Sequence, residues 1–333
     1  MKDRTELLSG ILLLAGIGLL GRGIATIIPS IDYLIATILV GVLVGNTAGG
    51  LGWAKAGIET HKLWLEAGIV VMGASVAFDR VVGAGPTILA LIVGTVAVAI
   101  LSVELLSRRC FGITQKTGSL LAAGSSICGV SAVVAVAGSI DADERQIAYA
   151  AGTVLLFDTL TLLVYPAVGH ALGLSDRVFG VWAGLTMFST GPVTAVGFAF
   201  SETAGEWAVL VKLARNALIG LAATGYALYY LRRPGDGRRP GKEKTSHLWR
   251  TFPKFVFGFL FLMILASVGV ISADQVTSLE HASNWLFMLA FAGLGLELRL
   301  DDLRSTGFEP VAVVLVSFIV VSTTVLGILT VLL

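Results

Sequence analysis

Charge is what this chain has least of. Only 14% of its 333 residues are Asp, Glu, Lys or Arg, where a soluble domain carries about 25%. That shortage excludes an ordinary cytosolic enzyme, a disordered chain and a nucleic-acid binder. Cysteine is nearly absent too, and Cys110 with Cys128 makes no disulfide framework. The four histidines, His61, His170, His247 and His281, fall in loops or at the ends of apolar stretches. No His/Cys/Asp group has metal-ligand spacing, so neither a metal nor another cofactor is expected. Walker A, H-E-x-x-H and G-x-S-x-G motifs are missing, which argues against a nucleotide-driven pump and against the common hydrolases. An enzyme built on Ser126 or Cys128 would need a base beside it, and no histidine lies deep enough. The 40 glycines follow no Gly-X-Y period, so collagen is excluded.

What is present is oil. Hydrophobic residues make up 56% of the chain, and the mean hydropathy is +0.88. The expected fold class is all-α: a polytopic transmembrane bundle of about 10–11 spans, forming one integral membrane domain over 1–333 in a lipid bilayer. The apolar stretches lie at about 7–28, 33–52, 63–79, 86–107, 117–139, 146–172, 178–201, 206–232, 252–273, 283–298 and 308–333, each near the ~20 residues that a crossing needs. Leu7–Ile28 is read as the first span rather than a signal peptide, because it is long for a signal core and no clear cleavage site follows.

Basic residues orient the bundle. With the N-terminus cytoplasmic, eighteen of the 23 Lys and Arg fall on the cytoplasmic side. Arg80 and Arg145 alone fall opposite, and Arg22, Lys212 and Arg215 fall within spans. An odd number of spans then puts the C-terminus outside. The run RRPGDGRRPGKEKTSH, Arg232 to His247, sits in a Pro- and Gly-rich cytoplasmic loop of about 232–250.

Two segments resemble each other at an offset of 222. Gly73 falls on Gly295, Asp79 on Asp301 and Gly85 on Gly307. The match relates the third span to the tenth, so the copies would point in opposite directions. That is either an inverted repeat, a common construction in secondary transporters, or the chance likeness of two Gly-rich apolar helices.

Ionised groups in a bilayer cost several kcal/mol and need a partner, a wet cavity or a function. Four places stand out. GSSICGVSA, Gly124 to Ala132, is either a broken helix whose amides and hydroxyls (Ser125, Ser126) face a solute, or a surface for close helix packing. Cys128 within it reads more as a core residue than as a ligand. At Ser189-Thr190-Gly191-Pro192-Val193-Thr194, proline removes a helical bond and a kink is expected. Lys212 and Arg215, with Asn216 beside them, share a helix face and would repel unless an anion neutralises them. Lys212 lies near the outer end, within reach of the interface by snorkelling. Arg215 sits deeper, and its guanidinium grips oxyanions bidentately. Asp158 is the one carboxylate near mid-span; it pairs with a cation or takes a coupling proton or sodium ion. Glu66, Glu104 and Glu297 read as interfacial, and Arg22 is ambiguous, the outer interface being one placement for it.

GSSICGVSAVVAV, LFDTLTLLVYPAVGHALGLS, FGVWAG, VKLARN and GLGLELRLDDLRSTGFEP, with LWLEAGIVVMGASVAF before them, resemble the YeiH-type membrane proteins. That family's catalogue name assigns it sulfate export. The resemblance runs from about Lys62 onward. It implies a multi-pass plasma-membrane secondary transporter, distantly related to antiporter and bile-acid-symporter folds, with crossing broken helices. Two positions depart from the family pattern. The seventh span of the family reads like IHDTAQVVAAG, whereas here it reads MFSTGPVTAVG, so Phe188, Ser189 and Pro192 replace His, an acid and Gln. Conversely, Asp158 stands where the family carries Gly. The acid has moved, on this reading, from one helix to a neighbour.

The expected function is therefore alternating-access transport of a small anionic solute, sulfate or an organic anion. Ser125, Ser126, Cys128, Ser189, Thr190, Thr194, Arg215 and Asn216 would line the solute site, with Asp158 and Lys212 in ion coupling. A channel, a membrane-embedded enzyme and a non-transporting assembly protein are the alternatives, and a homo-oligomer is compatible with each.

Overall fold

The computed structural model describes residues 2–28, 33–48, 51–75, 78–231, 255–298 and 308–333. Regular structure among them is helical. In chain order the helices are α1 (Lys2–Ile27), α2 (Tyr33–Thr47), the single turn α3 (Lys55–Ile58), α4 (His61–Met72) and α5 (Phe78–Leu105). Next come α6 (Gln115–Ala123), α7 (Val130–Ile140), α8 (Glu144–Ala171), α9 (Asp176–Thr186) and α10 (Thr190–Phe200). The last five are α11 (Glu202–Asn216), α12 (Ile219–Leu231), α13 (Phe255–Ser267), α14 (Ala273–Glu297) and α15 (Phe308–Leu332).

Among the described residues, five stretches are long and apolar enough to cross a membrane: Thr5–Ile27, Gly85–Cys110, Glu144–Ala171, Glu202–Tyr230 and Phe308–Leu332. Shorter apolar helices, α2, α7, α10 and α13, accompany them. Large apolar side chains such as Leu101, Val134, Leu163, Phe261 and Val331 stay exposed on these helices. A soluble protein would bury such side chains, whereas a bilayer solvates them. The protein is a polytopic helical membrane protein.

Several expected spans are cut. The fifth breaks into α6 and α7 around a π-helical turn, Gly124–Cys128. The seventh breaks into α9 and α10 at Met187–Ser189. The eighth is interrupted at Ala217–Leu218, between α11 and α12. The tenth is longer than the apolar pattern suggested, because a capping box of Ser272 and Gln275 starts α14 within a polar stretch. The 232–250 loop lies outside the described residues, as do Asp301, Gly307 and the side chain of Asp79 from the proposed repeat.

The chain folds as two compact units of interleaved segments. The first holds residues 1–85, 194–206 and 254–300. In it α14 packs on α2 and α4, and α1 packs on α2 and α3. The seams are glycine-lined: a Cβ on Gly41 would come 2.7 Å from the Ala292 carbonyl, and one on Gly295 would come 2.4 Å from the Ile38 carbonyl. Such contacts let backbones touch in a medium that gives no hydrophobic drive between helices. The second unit holds residues 86–193, 207–253 and 301–333. Its core runs through Leu120, Leu121, Ile127, Val133, Val154, Phe157 and Val313, around the broken helix α6–α7.

Candidate functional site

Both breaks lie in the second unit and meet each other. Gly129 ends the π turn at φ +71, ψ −139, a conformation that a residue with a Cβ scarcely adopts. A Cβ there would also lie 2.0 Å from Ser189 Oγ, in the second break. Glycine therefore makes the crossing possible twice over, in torsion and in space. At the second break Met187 is extended (φ −71, ψ 158), and Pro192 falls in the first turn of α10. There its missing N–H costs nothing. The expected kink is a full interruption just before the proline.

Each break frees backbone carbonyls, and α11 supplies the cations that satisfy them. Lys212 Nζ donates to Ile127 O at 2.8 Å, to Met187 O at 3.1 Å and to Phe188 O. Arg215 Nε donates to Ser126 O at 2.6 Å. Its Nη1 donates to Gly184 O (3.3 Å) and Met187 O (2.7 Å), and its Nη2 donates to Ser125 O (3.1 Å). These are the C-terminal ends of two half-helices, where the helix dipole is negative and favours cations. Both side chains are fully buried, at 0% and 1% exposed. Lys212 does not reach the interface, contrary to the expectation of snorkelling. Its flexible stem serves instead to bring three donors to the crossing.

The opposite helix end takes the anion. The Ser189 amide donates to Asp158 Oδ1 at 2.9 Å, capping the start of α10. The Ser189 hydroxyl neighbours the same carboxylate. Asp158 is 1% exposed, and its Oδ2 accepts no hydrogen bond. Among the described residues Asp158 makes no ion pair within 4 Å with Lys212 or Arg215. The expected direct pairing is replaced by charge attraction through the crossing. The carboxylate thus stands against position 189, where the resembled pattern carries its acid.

The remaining expected residues divide. Asn216 Nδ2 donates to Thr190 Oγ1 at 3.1 Å, while its Oδ1 has no partner. Ser125 Oγ turns back to Leu121 O at 2.7 Å, so its carbonyl rather than its hydroxyl serves the cluster. Ser126 Oγ is buried without a partner. Cys128 is a buried thiol at the end of the π turn. Thr194 is buried one turn along α10, on the part of that helix that belongs to the first unit.

No motif points to the polar ladder that lies beside this cluster. Tyr165 OH bonds Thr186 Oγ1 (2.7 Å) and Ser322 Oγ (2.9 Å), and stacks on Trp182 with centroids 4.0 Å apart. Trp182 Nε1 donates to Ser322 Oγ at 3.0 Å. Thr95, Ser125, Thr186 and Ser317 line a gap of about 10 Å³ together with Arg215. Single hydroxyls scattered through apolar helices look like backbone-satisfied passengers, so only their convergence reveals them.

Outside the cluster, Glu104 is largely buried. Its side chain is 14% exposed, pairs with Arg108 at 2.6 Å and accepts from Ser119 Oγ at 2.7 Å. Arg22 is half-buried, sandwiched between the rings of Tyr33 and Trp285 at 5.3 and 4.3 Å. Glu297 meets His61 at 3.5 Å and Lys62 at 3.4 Å.

Known proteins resemble the chain along nearly its whole length. The sequence model of a family described as "Conserved hypothetical protein 698" matches residues 9–314. A "UPF0324 membrane protein" of Nitratidesulfovibrio vulgaris (Hildenborough) is 31% identical over 317 residues, covering 92% of this chain and 88% of that protein. The "UPF0324 membrane protein M6_Spy0799" of Streptococcus pyogenes serotype M6 is 30% identical, with 93% of each chain covered. One from Clostridium tetani is 29% identical, covering 93% of this chain and 95% of its own. No solved structure matches.

Proposed function

The chain belongs to the conserved hypothetical protein 698 family of membrane proteins, and we propose that it is a secondary transporter moving a small anionic solute by alternating access. One observation carries this reading: two interrupted helices meet, and a fully buried lysine, arginine and aspartate sit on their freed ends. A bundle held only by packing has no need of such a centre, because buried charges are costly even when paired. Helix breaks in a bilayer occur where backbone is buried in protein or lines a polar path.

Formal charge at the crossing is +1 when Lys212, Arg215 and Asp158 are all ionised. That excess favours an anion. The donors are nearly spent on carbonyls, however: all three Lys212 N–H groups and four of the five on Arg215 are used. An anion would therefore compete with the half-helix ends for the cations. That exchange supplies a reason for solute binding to shift the half-helices, which alternating access requires. The free Oδ2 of Asp158 would take the coupling proton or sodium ion. Sulfate stands as a candidate solute on sequence resemblance alone; the relatives' names carry no solute.

The test is uptake into proteoliposomes of labelled sulfate, chloride and small organic anions, with and without proton and sodium gradients. Saturable, gradient-driven counterflow is expected for the parent, with a loss of about ten-fold or more in Asp158→Asn and Arg215→Ala. Variants that transport like the parent would put the solute elsewhere. The proposed orientation, N-terminus cytoplasmic and C-terminus outside, is checked at Cys110. This exposed thiol should react with a membrane-impermeant maleimide from the cytoplasmic side, while buried Cys128 stays unlabelled.

A further inference from the structure

We propose that Lys212 Nζ fills an alkali-cation site at the crossing of the two broken helices, so that this carrier holds a tethered cation where a sodium ion would otherwise sit. The inference rests on the carrier reading above and decides its coupling ion. All of the residues involved lie in the second unit.

The surroundings of Nζ are those of a metal cation. Its three partners are backbone carbonyl oxygens, those of Ile127 at 2.8 Å, Met187 at 3.1 Å and Phe188. They come from both breaks, one from the π turn and two from just past the end of α9. Freed carbonyls at half-helix C-termini are what hold sodium in carriers built on broken helices. Three acceptors on one nitrogen need three N–H groups, so the group is the charged ammonium and not the neutral amine. It is fully buried, which keeps that charge in the core rather than at a wet edge.

A second observation separates an ion site from a plain hydrogen-bond donor. Three more oxygens on flanking residues are buried without a partner: Ser126 Oγ, Asn216 Oδ1 and Asp158 Oδ2. Ser126 precedes Ile127, Asn216 follows Arg215, and Asp158 is held by the Ser189 amide next to Phe188. An ammonium has three N–H groups, and all three are spent. A spherical hard cation has no such limit and gathers every oxygen that reaches it. The idle oxygens therefore mark a shell that the lysine fills only in part.

The coupling ion follows. A sodium ion needs that shell, and the freed carbonyls that would build it are held by Lys212 and Arg215. A proton needs one oxygen, and Asp158 Oδ2 offers it. The ionised groups that act on that carboxylate are Lys212 and Arg215. Coupling therefore falls to the proton.

The experiment uses the purified full chain in detergent and in proteoliposomes. Lys212→Ala empties the position. Its melting temperature is followed as sodium, potassium or n-propylammonium chloride replaces tetramethylammonium chloride at constant ionic strength. Sodium or potassium should raise it saturably, by about 5 °C or more, and the parent should show no such rise. Propylammonium restores the missing N–H groups and should act as well. A rise with propylammonium alone would make Lys212 a hydrogen-bond donor and nothing more, which overturns the proposal. So does a variant that fails to fold in every salt. The parent gives a second check that needs no variant: proton-driven counterflow should be unchanged when tetramethylammonium replaces all sodium and potassium. A saturable sodium requirement in the parent would overturn the proposal and keep the carrier reading. Stabilisation of Lys212→Ala by alkali ions, with no transport by the parent under any gradient, would do the reverse.

Discussion

The two units of this chain solve the same problem in opposite ways. The first keeps charge at its margins and joins helices through glycine, as where Gly41 and Gly295 let α2 and α14 touch. Its buried polar groups meet single partners: Thr37 bonds Tyr33 O, Ser283 bonds Gly68 O, and His61 lies against Ile58 O and Glu297. The second unit contains Asp158, Lys212 and Arg215, each at most 1% exposed. Continuous helices keep their backbone bonds internal and need no ions. Interrupted helices expose carbonyls and amides, and in oil only fixed donors, acceptors or ions can replace the lost bonds. The difference teaches that the buried charges belong to the helix breaks first and to any solute second.

This comparison is most easily broken at the cations. Lys212→Met would leave the Ile127 and Phe188 carbonyls unsatisfied, and Arg215→Gln would strand up to three, those of Ser125, Ser126 and Gly184, while Met187 O keeps the other cation in each case. Removing one partner of a buried charged network costs about 3–5 kcal/mol. Thermal or denaturant unfolding in detergent should register a loss of that order for each variant. A loss under about 1 kcal/mol, the scale of an exposed pair, would show that the carbonyls are satisfied in some other way.

Gly129→Ala comes next. The positive φ alone costs about 1–3 kcal/mol, and the 2.0 Å approach to Ser189 Oγ adds to it. A double variant separates the two contributions. Gly129→Ala with Ser189→Ala should recover part of the melting temperature but not all, because the torsion remains. Full recovery would mean that contact with Ser189 was the whole of the defect.

The breaks themselves were legible in the residues. A Gly- and Ser-rich run inside an apolar span, and Gly191-Pro192 in another, each conflict with a continuous helix, and both sites are interrupted. Asp158, Lys212 and Arg215 were legible as charges out of place. Their partners were not. Sequence treats backbone carbonyls as spoken for, so the cations seemed to need a carboxylate or a solute. In fact the breaks had released the acceptors, and the cations took them. Lys212 misled further, because its place near the end of an apolar stretch reads as interfacial when the stretch is taken as one straight helix. The long polar start of α14 was hidden for a related reason, since hydropathy finds apolar length and not capping.

The smallest expected effect comes from the first unit and tests the comparison from the other side. Arg22 is also a cation within an apolar span, yet among the described residues it holds no freed carbonyl. It lies over Trp285 at 4.3 Å and Tyr33 at 5.3 Å, an arrangement that contributes about 0.5–1 kcal/mol near a surface. Arg22→Gln should therefore cost about 1 kcal/mol or less, with solute uptake at the parent's rate. Trp285→Leu should cost a similar amount, and the double variant should show coupling, since each removes the same contact. A collapse of folding on the scale of Lys212→Met would mean that helix interruption is not what makes a buried cation indispensable, and that the contrast between the units lies elsewhere.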